Sequence, residues 1–164
     1  MPQDSIRSTR KSSIVETYSR SGAMAESNYP PIDDGAQNSE RPLAGLRCLV
    51  LDDEFLIALD IQNILEAAGA AAVICVGSVD AALSALQSEP AFAVAVLDIW
   101  LSPQRQTSDA VAAALMRART PFVFLTGVEE DDLQARQFPG VPVVEKPYQA
   151  PLLIAAILQA LRSR

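Results

Sequence analysis

From Leu46 onward the chain alternates short apolar runs with longer amphipathic ones, with no repeat of fixed period. RCLVL (47–51) is apolar after its arginine, the pattern of a strand covered on both faces. EFLIALDIQNILEAAG (54–69) then sets Leu56, Leu59, Ile64 and Leu65 at helical spacing, and Gly69 supplies a stop. AAVICV (71–76) reads as a second strand, and SVDAALSALQS (78–88) as a helix capped by Ser78 and ended before Pro90. FAVAVL (92–97) is a third strand that runs into Asp98. A polar loop follows, then a helix over 108–117 and a fourth strand, PFVFL (121–125). A short acidic helix near 129–136, a fifth strand VPVVE (141–145) and a helix over 149–161 complete five βα units. Such alternation predicts an α/β fold: a doubly wound, five-stranded parallel sheet of flavodoxin-like order 2-1-3-4-5, with helices on both faces.

The pattern begins late. Residues 1–41 are rich in Ser, Pro, Asp, Asn and Gly and lack sustained apolar periodicity, so they read as a disordered tail with at most a short helix over 12–20. The domain is then residues 42–164, within a chain of 164. No stretch approaches the length of a membrane span. Cys48 and Cys75 both sit in apolar runs and read as buried core residues in a reducing cytoplasm. A net charge of −7 without a basic cluster in the domain argues against a nucleic-acid partner. The complete absence of histidine removes Ser/His and Cys/His nucleophile pairs and most zinc sites, leaving carboxylates and hydroxyls to carry any chemistry.

The carboxylates are placed for it. In the order 2-1-3-4-5 the chain reverses direction between strands 1 and 3, and ligands bind in the crevice at their carboxyl ends. Asp52 and Asp53 follow strand 1, Asp98 follows strand 3, Thr126-Gly127 follows strand 4 and Lys146-Pro147 follows strand 5. Three carboxylates gathered there repel one another, and a hard divalent cation resolves that repulsion. An all-oxygen donor set points to Mg²⁺, which favours sites shared with a phosphate. A phosphoryl group would also engage the Thr126 hydroxyl and the Lys146 ammonium. Lys146 is the only lysine after residue 11, in a domain that otherwise uses arginine.

Each residue taken singly has a plainer explanation. Asp52 or Asp53 could cap the next helix, Asp98 could open a loop, Thr126-Gly127 suits any turn, and Lys146-Pro147 suits any strand exit. Glu54 reads as a first-turn helix acid, and EEDD (129–132) as a solvated face. Their conjunction on one rim of one sheet is what sets them apart.

These residues resemble the receiver domain of two-component response regulators over 46–162. The acidic pair matches Asp52-Asp53, the phosphoacceptor matches Asp98 in VAVLDIWL, and the remaining positions match Thr126 and Lys146-Pro147. The resemblance implies Mg²⁺ held by Asp53, Asp98 and the Trp100 backbone carbonyl, with Asp52 acting through water. It implies in-line attack by Asp98 on phosphorus and a cis bond before Pro147. TPFVFLTG (120–127) is similar to the PF-x-F-x-TG stretch of the mostly stand-alone FAT GUY subfamily, which favours histidine kinases of the HWE or a related type as partners. Two positions depart from the common pattern. Val143 stands where many receivers carry a switching aromatic, and Val128 follows Thr-Gly where the subfamily has an aromatic.

The chain ends directly after the fifth helix, so output is expected by contact with a regulatory protein or by phosphoryl transfer to a histidine phosphotransfer protein. A small Mg²⁺-dependent phosphohydrolase is the rival from another class. It would want a D-x-D pair on strand 1, where this chain has Asp52 and Glu54. A non-phosphorylated scaffold receiver would be motivated by a missing site residue, and none is missing.

Overall fold

The computed structural model describes residues 41–102, 106–127 and 137–163. The helices expected at 12–20 and 129–136, and all of the expected tail but Arg41, lie outside the described residues. In chain order the elements are β1 (Arg47–Leu51), α1 (Phe55–Ala67), β2 (Ala72–Val76), α2 (Val79–Ser88), β3 (Val94–Asp98), β4 (Trp100–Leu101), β5 (Gln106–Thr107), α3 (Asp109–Ala118), β6 (Phe122–Thr126), β7 (Val143–Glu145) and α4 (Ala150–Arg162). Five of the strands form one parallel sheet in the order β2-β1-β3-β6-β7. This is the doubly wound 2-1-3-4-5 arrangement, because β4 and β5 pair only with each other.

Strand periodicity divides the core into two layers. Cys48, Val50, Val94, Val96, Val123 and Leu125 face α1 and α4, where they meet Ile61, Leu65, Leu153 and Ile157. Their neighbours Leu49, Leu51, Ala95, Leu97, Phe122 and Phe124 face α2 and α3, where they meet Ala82, Val111 and Leu115. The central strands β3 and β6 are buried at every position, which is why they read as apolar runs up to their last residues, Asp98 and Thr126. Burying each of the larger side chains contributes about 1.5–3 kcal/mol, so the sheet is held from both sides.

The helix ends follow from local chemistry. Ser78 caps α2 by accepting a hydrogen bond from the Ala81 N–H at 3.2 Å. α1 ends in a Schellman motif: Ala70 N–H donates to Leu65 O and Gly69 N–H to Glu66 O. Gly69 has φ +99°, and a Cβ there would lie 2.9 Å from the Arg41 Cβ, so glycine is required twice over.

Four expectations change. The buried stripe of α1 is Ala58, Ile61 and Leu65, while Leu56 and Leu59 point outward; the helix is apolar on several sides, so spacing alone does not choose the face. Cys75 is exposed rather than core, because β2 is an edge strand. Glu54 is the N-cap residue of α1 and makes no side-chain cap; no acid stands in the first turn. The segment read as a polar loop after Asp98 contains the antiparallel pair β4–β5, with Trp100 opposite Thr107. Two-residue strands are too short for alternation to reveal.

Candidate functional site at the carboxyl rim of the sheet

The parallel sheet brings the ends of β1, β3, β6 and β7 to one rim, and with them Asp52, Asp53, Asp98, Thr126 and Lys146. Asp52 and Asp98 are 2 % and 7 % exposed, and Thr126 is 3 % exposed. Lys146 reaches in from the end of β7, and its Nζ donates to Asp52 Oδ2 and to Asp98 Oδ2, each at 2.8 Å. One ammonium thus joins carboxylates from two strands.

The other carboxylate oxygens are held by backbone N–H groups. Glu54 N–H donates to Asp52 Oδ1 at 2.9 Å, Trp100 N–H to Asp98 Oδ1 at 3.3 Å, and Ser102 N–H to Asp53 Oδ2 at 3.1 Å. Lys146 N–H donates to Thr126 O at 2.7 Å, fixing the lysine's backbone to the end of β6. The peptide bond between Lys146 and Pro147 is cis. The Thr126 hydroxyl donates to the Gly127 carbonyl across a long 3.4 Å, a weak bond that a better acceptor would replace.

Burial is the first influence on Asp98 and raises its carboxyl above the usual range. The hydrogen bond and charge of Lys146 oppose that rise, the charge of Asp52 adds to it, and the Trp100 N–H lowers it slightly. For Lys146 burial pulls the ammonium down, but its bonds to Asp52 and Asp98 and their charges outweigh it, and the net direction is up. Lys146 therefore stays charged and keeps the two carboxylates together.

Asp52, Asp53 and Asp98 each offer a carboxylate oxygen, all within 4.8 Å of one another. Three hard oxygen donors at that spacing suit a divalent cation of the Mg²⁺ class, which takes few protein ligands and keeps several waters. The donor chemistry fits the ion.

Sequence reasoning located the side chains at the strand ends but not two contacts on or near the rim. The Ser102 N–H on Asp53 is a backbone group and has no signature in the residue string. Tyr148 Oη donates to Asp60 Oδ2 at 3.2 Å, linking positions 88 residues apart. A Tyr directly after Lys-Pro and an Asp on a helix give no hint of that pairing.

No family model matches the chain, and none of the curated proteins matches it. Solved structures do match. A response regulator receiver protein from Sinorhizobium medicae WSM419 superimposes with a TM-score of 0.64 at 28 % identity, over 73 % of this chain and 96 % of that one. The N-terminal domain of a response regulator/sensory box/GGDEF 3-domain protein from Carboxydothermus hydrogenoformans gives 0.62 at 25 % identity, over 71 % and 94 %. SdrG from Sphingomonas melonis Fr1 gives a TM-score of 0.60 at 32 % identity, over 72 % of this chain and 97 % of SdrG. Likeness at that level across nearly the whole of a relative carries more than the fold, and the chain belongs to the response regulator receiver family.

Proposed function

We propose that the protein is a phosphoryl-accepting signalling receiver. Asp98 takes a phosphoryl group from the phosphohistidine of a histidine kinase in a Mg²⁺-dependent reaction, and the modified domain signals by protein contact or passes the group to a histidine phosphotransfer protein. The observation that carries this reading is the Lys146 ammonium, 2.8 Å from both Asp98 and Asp52 on a rim that also holds Asp53 and Thr126. A carboxylate nucleophile, a cation-binding acid pair, a hydroxyl and an ammonium form the set that phosphoryl transfer to an aspartate needs.

An oxygen of Asp98 forms the new bond to phosphorus, and the P–N bond to the donor imidazole breaks, its electron pair leaving with nitrogen. The product is an acyl phosphate. Asp53, Asp98 and the Trp100 carbonyl would hold Mg²⁺, with Asp52 acting through water. When bound, the ion neutralises charge on the phosphoryl oxygens. Lys146 remains paired to the acceptor and neutralises further charge, while Thr126 exchanges its weak bond to Gly127 for a phosphoryl oxygen. That exchange, together with β7, biases the signalling face between two conformations. Val143 in place of an aromatic leaves the threonine to carry the switch.

Two observations support the partner class. Phe55 and Leu56, on the first turn of α1 directly after the acidic pair, are 75 % and 76 % exposed, an apolar surface suited to a protein donor. The stretch 120–127, TPFVFLTG, supports placement with the stand-alone FAT GUY receivers and hence a kinase of HWE or related type. The protein then catalyses only its own phosphorylation and dephosphorylation, in the cytoplasm. No helix among the described residues is long and apolar enough to cross a membrane. The test is incubation with a small acyl-phosphate donor and Mg²⁺. Stoichiometric, Mg²⁺-dependent labelling supports the receiver, whereas continuing turnover of simple phosphate esters without a labelled protein overturns it in favour of a phosphohydrolase.

A further inference from the structure

The segment that delivers Lys146 is short and anchored unevenly. β7 is a three-residue edge strand, exposed at Val143 and Glu145, and it pairs with β6 alone. On the upstream side Lys146 is fixed by its own N–H to Thr126 O at 2.7 Å. On the downstream side Pro147 has no N–H to offer, and α4 begins only at Ala150 without a side-chain cap from Gln149. Between those points stands Tyr148, its half-buried ring against the α1–α4 core layer and its hydroxyl bonded to Asp60 in the middle of α1 at 3.2 Å. α1 is the helix that directly follows Asp52 and Asp53.

The bond joins two halves of the site. The carboxylates are positioned by β1, α1 and β3, while the ammonium comes from β7 at the sheet edge. The lysine stem is flexible and does not fix its own direction, but its reach is finite and Nζ must meet Asp52 and Asp98 at once, so how firmly it is held there depends on how firmly the backbone at 146 is anchored. An Asp carboxylate accepting from a phenol is a charge-assisted bond, stronger than a neutral one, and its partner is two residues from Lys146. We infer that Tyr148 and Asp60 form a clamp that positions Lys146 for phosphoryl transfer, making both of them positioning residues for a reaction neither touches. The inference rests on the receiver reading for its kinetic consequence, but not for its structural one.

The structural consequence has an unusually clean probe, because the chain contains just two lysines, Lys11 and Lys146. Lysine-selective ¹³C labelling of the full chain gives two Cε signals, with Lys11 as an internal reference, and ¹³C relaxation at a fixed pH reports how tightly Lys146 is held. Tyr148→Phe keeps the ring and its packing and removes only the donor. It should lower the melting temperature by no more than the few degrees that one hydrogen bond is worth and leave the Lys11 signal unchanged, while Lys146 Cε becomes more mobile. Asp60→Ala should do the same, Asp60→Asn should restore the ordered signal through its carbonyl oxygen, and the double variant Tyr148→Phe/Asp60→Ala should be no looser than either single. The rate of labelling by an acyl phosphate should fall about fivefold in Tyr148→Phe and in Asp60→Ala, the size of one net hydrogen bond, and recover in Asp60→Asn. A Lys146 signal as ordered in Tyr148→Phe as in the wild type overturns the clamp. So do effects of the two substitutions that simply add. If the wild type is not phosphorylated at all, the receiver reading fails, and the relaxation data still decide the clamp.

Discussion

Replacing Asp53 by Asn should stabilise the fold in the absence of divalent cations and abolish its stabilisation by Mg²⁺. The substitution is close to isosteric, and the Asn carbonyl oxygen can still accept from the Ser102 N–H now held at 3.1 Å by Asp53. What it removes is one negative charge from a cluster whose three carboxylates offer oxygens within 4.8 Å of one another. Two unit charges at that distance repel by about 3–4 kcal/mol at an effective dielectric of about 20 and by under about 1 kcal/mol in bulk water. Asp53 is half-buried and Lys146 already offsets the other two acids, so the net relief is about 1–2 kcal/mol. For a domain of this size that is a rise in melting temperature of roughly 4–8 °C. Wild type should instead gain about 2.7 kcal/mol from Mg²⁺ at a concentration 100 times its dissociation constant, and the variant almost nothing. Differential scanning fluorimetry with chelator and with a Mg²⁺ series reads both effects. A variant that melts no higher than wild type in chelator, or that gains as much from Mg²⁺, refutes the argument that these acids form a cation-shaped cluster.

Other outcomes follow from single groups. Arg119 sits in the left-handed region, φ 55° and ψ 33°, after α3, where it carries a Schellman motif through its N–H to Met116 O and that of Thr120 to Leu115 O. Arg119→Gly should raise the denaturant midpoint by the equivalent of about 0.5–1 kcal/mol with an unchanged m-value. Cys48 is fully buried, its thiol pushed up to about 11 by burial, while Cys75 is exposed though also raised, by burial and then by the charge of Glu66. An aromatic disulfide reagent should therefore modify one thiol in the native protein, located by peptide mapping at Cys75, and reach Cys48 only on unfolding. Asp98 is held above its usual 3.8 by burial, so the folded protein binds that proton more tightly than the unfolded chain does. Its contribution to stability is greatest at acid pH and falls as pH rises from 3.8 through the folded value. In chelator, Asp98→Asn should lose that downward component when urea midpoints are compared across the acid range.

Most of the fold was legible because its signals are strong. The runs in β1, β3 and β6 are apolar without a break, and turn residues separate each strand from its helix. The rim followed from the fold, since the order of a parallel sheet brings Asp52, Asp53, Asp98, Thr126 and Lys146 to one edge. What failed depended on neighbours. Leu56 and Leu59 have the composition of core residues, and only packing against the sheet decides that Ala58, Ile61 and Leu65 are buried instead. Cys75 could not be separated from Cys48 until β2 was known to be an edge. The bonds from Ser102 N–H to Asp53 and from Tyr148 to Asp60 join residues 49 and 88 positions apart, and no local pattern encodes them.

The most direct measurement is intact-mass spectrometry of the protein after incubation with Mg²⁺ and a small acyl-phosphate donor, beside Asp98→Asn treated identically. The account predicts the mass of one added phosphoryl group on the wild type, lost when Mg²⁺ is chelated beforehand and absent from the variant. An adduct that persists in Asp98→Asn, or that never forms on the wild type, contradicts it.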